Sequence, residues 1–221
     1  MTKHAIEEQP VINKLREEYF IHLPEIRRVM EYLETEVRYH TRHVLQGLEK
    51  HEQLVIKSHV KDCESAIQSL RRRQEGGIFD PEKLDSYSLL KLPDLAGVRV
   101  LVFPRSILTE VDRALSTYFV DWMHDPVPVG RGAMLAPKYR GKCEDVSRSI
   151  NAEYQIVPML IGLFWQVEHA AIYKPPPALK GKADSAPMEK MRADIECALL
   201  NFEAEYESFV RGDSPRSSDV E

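Results

Sequence analysis

Asp94-Leu95-Ala96-Gly97-Val98-Arg99-Val100-Leu101-Val102-Phe103 is the stretch that decides the fold. From Val98 it is apolar and β-branched apart from one arginine, the composition of a strand covered on both faces. Pro104 closes it, because proline has no N–H to give to a ladder. Downstream, Ser106 is expected to cap a helix whose apolar face is Ile107, Val111, Leu115 and Tyr118. Asp121 to Pro137, with its prolines and glycines, reads as loop or edge strand. Ile150, Ala152, Tyr154 and Ile156 then alternate with Asn151, Glu153 and Gln155, the period-two pattern of a strand with one polar face. Glu153 and Gln155 therefore share a surface.

Pro158 suits the first turn of a helix running to about Tyr173, on which Trp165, Glu168, His169 and Tyr173 are neighbours by three- and four-residue steps. Pro175-Pro176-Pro177 stops it. Lys180 to Pro187 reads as a linker, and a last helix is expected to bury Met191, Ile195, Leu199, Phe202, Tyr206 and Phe209. From Arg211 the chain is polar and expected to be disordered. Upstream of the central strand, Leu54 to Val60 reads as a strand or helix end, and Asp62 as the N-cap of a helix from Cys63 to Gln74 ended by Gly76-Gly77. Ile26, Met30, Leu33, Val37, His40, Val44 and Leu48 trace one face of a long helix, with a shorter one over Val11 to Leu23 separated from it at Pro24.

These elements make an α+β fold: a mixed β-sheet flanked by helices, with long N- and C-terminal helices. The expected organisation is N-terminal helices over 1–53, a core over 54–174, a linker and C-terminal helix over 175–210, and a tail over 211–221. The 221 residues, 43% of them hydrophobic, suffice for one sizeable core. A formal charge of −5 argues against a protein that coats nucleic acid or anionic membrane by bulk charge. Cys63, Cys143 and Cys197 are widely spaced and suggest neither a zinc site nor a disulfide framework. Neither a secretory leader nor a run of ~18 apolar residues is visible, so a cytoplasmic protein with no membrane partner is expected.

Asp94-Leu95-Ala96-Gly97-Val98-Arg99-Val100, Glu153-Tyr154-Gln155-Ile156, Trp165-Gln166-Val167-Glu168-His169 and Tyr173-Lys174 follow in an order and spacing that resembles the synthetase domain of the RelA/SpoT family, the alarmone synthetases or GTP pyrophosphokinases. The resemblance spans about Leu54 to Lys174. It implies a nucleotidyltransferase-like sheet and transfer of pyrophosphate from ATP to the 3′-hydroxyl of GTP or GDP, a reaction driven by positioning and charge neutralisation with Mg²⁺. By resemblance Asp94 and Glu153 are the metal-binding and catalytic carboxylates, and Arg99 packs on adenine. Gln155 shares the face of Glu153 and positions a base or ribose hydroxyl, and His169 lies on the following helix.

The family's phosphate-binding pattern R-x-K-x-x-x-S-x-x-x-K falls on His59, Lys61, Ser65 and Ser69, so Lys61 and Ser65 are retained for ATP binding beside His59. Arg71-Arg72-Arg73, one turn on, is either a solvated basic face or a substitute for the missing lysine. The acceptor motif G-Y-x-x-x-H falls on Lys138-Tyr139-Arg140-Gly141-Lys142-Cys143, which keeps the guanine-stacking Tyr139 and replaces glycine and histidine. Lys138 and Arg140 flank it. The implied partners are ATP and a guanine nucleotide, with self-association through the long helices. Two further readings stay open: a toxin-type member that pyrophosphorylates tRNA, for which Lys138, Arg140, Lys142 and Arg148 supply a basic strip, and a catalytically degenerate nucleotide-binding or regulatory domain.

Overall fold

The computed structural model describes residues 8–172 and 186–212, and within the helices it leaves the side chains of 169–172 and 186 undescribed. Among the described residues the helices are α1 (Gln9–Gly47), α2 (Cys63–Arg71), α3 (Leu108–Tyr118), α4 (Met159–Ile172) and α5 (Ala186–Arg211). The strands are β1 (Gln53–Val60), β2 (Ala96–Phe103), β3 (Met123–His124), β4 (Val127–Val129), β5 (Met134–Ala136), β6 (Lys138–Lys142) and β7 (Asn151–Pro158). β1, β2, β7, β6 and β3 lie side by side in that order in a mixed sheet, and β4 and β5 form a separate hairpin. β2 is central, antiparallel to β1 and parallel to β7. The expected α+β sheet with long terminal helices is what the chain forms.

The two faces of β2 meet different neighbours. Val98, Val100 and Val102 pack with Ala152, Tyr154 and Ile156 of β7 beneath Val29, Leu33, Val37 and Val44 of α1. On the opposite face Leu101 and Val157 join Ile161 of α4, Leu200 of α5 and the β4–β5 hairpin in a smaller cluster. Gly162 is what lets α4 lie this close, since a Cβ there would stand 2.3 Å from Leu101 Cδ2. The rest of that second face, toward the start of β2, carries the polar residues of the strands.

Four local expectations are corrected. Pro24 does not divide the N-terminal helix, and α1 runs through it for 39 residues. Pro24 lies on the exposed side, where water can satisfy the carbonyl that a proline leaves unpaired, while Tyr19, Ile26 and Val29 carry the buried stripe past it. Ser106 is not a helix cap: a 3₁₀ turn over Arg105–Ile107 precedes α3, and the Ser106 N–H donates to Glu207 Oε1 at 2.9 Å. Pro158 ends β7 rather than opening α4.

The fourth concerns α5, whose expected apolar stripe is only partly inward: Leu199 packs on the smaller cluster and Tyr206 against Phe103. Phe202 is 54% and Phe209 82% exposed, whereas Glu196, Leu200 and Glu203 are buried. The inward Glu196 carboxylate meets two donors that otherwise go unsatisfied, the Gly130 N–H and the Trp165 indole, and an unmet buried donor costs about 1–3 kcal/mol. The Asp62 cap is as expected, its carboxylate accepting from the Ser65 N–H, although α2 stops at Arg71. Pro175-Pro176-Pro177, most of the Lys180 to Pro187 linker and residues 213–221 of the tail lie outside the described residues.

Candidate active site

Because side chains alternate across a strand, the register assigns two adjacent rows to the polar face of the sheet. One row is His59, Gly97, Glu153 and Arg140, and the next is Lys57, Arg99, Gln155 and Lys138, each running across β1, β2, β7 and β6. Gly97 is needed in its row: a Cβ there would lie 2.4 Å from the His59 ring. The absence of a side chain lets the imidazole lie over the strand.

Ion pairs and hydrogen bonds connect these rows. Arg140 Nε donates to Glu153 Oε2 at 3.1 Å, and Arg140 Nη1 reaches Asp125 Oδ2 at 2.8 Å. Lys138 Nζ pairs with the same Asp125 oxygen at 3.0 Å, and its hydrogen bond is the main reason the Asp125 carboxyl titrates below the ordinary range. Arg99 Nε donates to Gln155 Oε1 at 3.2 Å, and its guanidinium carbon lies 5.9 Å from the Trp165 ring centroid. Burial pulls the Arg99 guanidinium below its usual value, and the neighbouring Glu153 charge pushes it back up. An arginine is nonetheless charged in proteins. Lys57 Nζ donates to Gln166 Oε1 at 3.1 Å. The face is therefore locally cationic, with Lys57, Arg99, Lys138 and Arg140 outnumbering Glu153 and Asp125.

Asp94 and Lys61 sit beyond the ends of β2 and β1, past the His59 row, and form an ion pair with each other. The Lys61 N–H donates to Leu95 O at 2.9 Å and Tyr19 Oη donates to Lys61 O at 2.8 Å, so α1 braces this corner. Asp94 Oδ1 is buried and has no partner among the described residues. Among the described residues no group of three or more His, Cys, Asp or Glu is arranged to hold a metal. One orphaned carboxylate oxygen suits a hard cation that keeps waters and takes most of its remaining ligands from substrate phosphates.

The other expected site residues are placed differently. Tyr139 lies between Lys138 and Arg140 in sequence and so faces the opposite side of the sheet. Its ring stacks on Tyr154 at 4.8 Å and on His124 at 4.7 Å, and its hydroxyl donates to Asp112 Oδ1 at 2.9 Å. The guanine-stacking position expected of it is corrected to a core position, with the phenol pushed up to about 12, chiefly by burial. Ser65 is occupied by its own cap, Oγ donating to Asp62 Oδ2 at 2.7 Å. Arg71 pairs with Glu8 at 3.0 Å and lies over Phe79 at 5.5 Å, which makes it a brace for the N-terminal segment rather than a substitute phosphate ligand. Cys143 is buried, which pushes its thiol up to about 12. Lys142 Nζ donates to Arg148 O at 2.7 Å. His169 lies on α4 and its side chain is outside the described residues.

Sequence reading passed over Lys57 and Asp125. Lys57 was legible, being two residues from His59 on the same strand and hence on the same face. Asp125 follows a two-residue strand and had no periodic signal.

No family model matches the sequence, and no curated protein matches it. Solved structures do match. Small alarmone synthetase 1 from Bacillus subtilis superposes with a TM-score of 0.59 at 15% identity, covering 89% of this chain and 99% of that one. Its AMPCPP-bound structure gives 0.57 at 16% identity over 91% and 100%, and the structure bound to its product pppGpp gives 0.56 at 15% over 88% and 99%. A GTP pyrophosphokinase family protein from Streptococcus pneumoniae gives 0.57 at 19% identity over 88% and 95%. The chain has the fold of the small alarmone synthetases.

Proposed function

We propose that this protein is a divergent small alarmone synthetase, transferring the β,γ-pyrophosphate of ATP to the ribose 3′-hydroxyl of GTP or GDP. The observation that carries the reading is the pair of cross-strand rows that gathers Glu153, Arg99, Gln155, Lys138 and Arg140 on one locally cationic face. The fold agrees with it, since matching structures hold AMPCPP and pppGpp. Glu153 is the general base for the attacking hydroxyl, its carboxylate oriented by Arg140. Arg99 presents its guanidinium plane to the adenine of the donor. Lys57, Lys61 and His59 take the donor phosphates, Ser65 assists from the start of α2, and Lys138 with Arg140 and Gln155 orients the acceptor. His169 belongs to the acceptor side.

Asp94, with its unpartnered oxygen, and Glu153 are the residues that would hold Mg²⁺, which would supply charge neutralisation on the transferring phosphates.

Purified protein incubated with γ-labelled ATP, Mg²⁺ and GDP or GTP tests the reading. Labelled guanosine tetra- or pentaphosphate is expected from the native chain, with a loss of at least about 10²-fold in Glu153→Gln, the usual scale for removing a general base. Folded protein that binds neither AMPCPP nor a guanine nucleotide would sink it. A second reading, a nucleotide-binding domain without turnover, is favoured by the inward position of Tyr139 and the Lys61–Asp94 pair. Nucleotide binding without any labelled product identifies that case.

A further inference from the structure

Glu196 lies on α5, outside the sheet that carries the candidate site, and is only 6% exposed. Both of its oxygens are engaged. Oε1 accepts the Trp165 indole N–H at 2.7 Å, and Oε2 accepts the Gly130 backbone N–H at 2.7 Å. Trp165 in turn provides a ring face to Arg99, and Arg99 is bonded to Gln155. A continuous chain of contacts thus runs from the C-terminal helix to the middle of the site.

A desolvated guanidinium gains from a ring face beside it, and Arg99 is held by one neutral side-chain bond to Gln155. The orientation of the indole therefore matters to Arg99. Trp165 has a hydrogen-bonding handle on one edge, and an anionic acceptor at 2.7 Å fixes the ring more firmly than a neutral one. Arg192 of α5 also pairs with Glu168, three residues beyond Trp165, so α5 grips the same stretch of α4 twice.

We propose that Glu196 is a positioning residue for the donor-nucleotide subsite, acting through the Trp165 indole on Arg99. This makes docking of α5 a condition for binding the adenine nucleotide, and it rests on Arg99 being the adenine-side residue as argued above.

The test is a double-mutant cycle with two readouts. Glu196→Gln supplies one acceptor for two N–H donors, and Trp165→Phe keeps a ring and removes its N–H. Each is expected to weaken AMPCPP binding about tenfold, the scale of one hydrogen bond to a charged group, while GDP affinity stays unchanged. The double variant is expected to bind AMPCPP no more weakly than Trp165→Phe alone, because the coupling runs through the indole. Independently of nucleotide, the Arg99 Nε–H resonance in ¹⁵N NMR is expected to move in both single variants. An unmoved Arg99 resonance, additive losses of affinity, or equal weakening of GDP overturns the proposal. If Glu196→Gln fails to fold, Glu196→Asp, which keeps the charge and shortens its reach to the indole, is read by the same Arg99 resonance and AMPCPP affinity, and an unmoved resonance overturns the proposal. A moved resonance in a protein whose native form binds no AMPCPP keeps the positioning role and overturns the alarmone synthetase reading.

Discussion

Tyr139 and its neighbours Lys138 and Arg140 belong to one short strand, yet the tyrosine serves the core and the two cations serve the site. The reason is the two-residue period of a strand, which turns adjacent side chains to opposite faces. Replacing Tyr139 by Phe removes a part-buried hydroxyl bond to Asp112 and is expected to cost about 1 kcal/mol of stability. Guanine-nucleotide affinity is expected to stay unchanged in Tyr139→Leu, which removes the ring that stacking on a base would need. Denaturant unfolding and calorimetry measure the two effects, and a selective loss of GDP binding would return Tyr139 to the acceptor side. The pair Glu153 and Gln155 was legible from alternation alone. What alternation lacked was the position of the partner strand, so the sharing of Asp125 by Lys138 and Arg140 appears only once β3 and β6 are paired.

At the scale of elements, α1 and α5 diverge from their sequence patterns for different reasons. Pro24 signals a break, but its place on the exposed side means the helix loses one hydrogen bond to water and little packing. Pro24→Ala restores that bond and is expected to raise stability by about 1–3 kcal/mol, seen as a higher melting temperature. In α5 the decisive group is Glu203, fully buried among the described residues. Burial pushes its carboxyl up from 4.5 to about 7; Glu207 adds to the rise, while the Leu160 N–H and Arg105 oppose it. A folded value above the unfolded one means that the stabilising proton is fully bound in both states below about 4.5. Stability is then lost as pH rises through 7. Glu203→Gln is expected to abolish this slope and to stabilise the protein at pH 8 by on the order of 3 kcal/mol, read from melting temperatures across pH 5 to 8. An unchanged slope would place the titration elsewhere.

For the whole molecule, a chain of net charge −5 holds a cationic face because its acidic residues are distributed elsewhere, several of them on α1 and α5. Among the described residues no helix is long and apolar enough to cross a membrane. Met191, Phe202 and Phe209 of α5 are exposed, and we propose them as the contact through which the chain self-associates, since exposed apolar surface marks interaction sites. Phe202→Asp with Phe209→Asp is expected to reduce the mass measured by light scattering to that of one chain; an unaltered mass would exclude this face as the contact. The sequence by itself determined the α+β class, the long apolar strand and the polar strand beside it, because periodicity and spacing are properties of the chain. Only the tertiary structure decided which face of the sheet is the core and so that Tyr139 lies in it, that Lys61 pairs with Asp94, and that α5 turns Glu196 inward to reach Trp165. Those outcomes depend on which strands and helices pack together once the sheet has closed, and no local pattern carries that information.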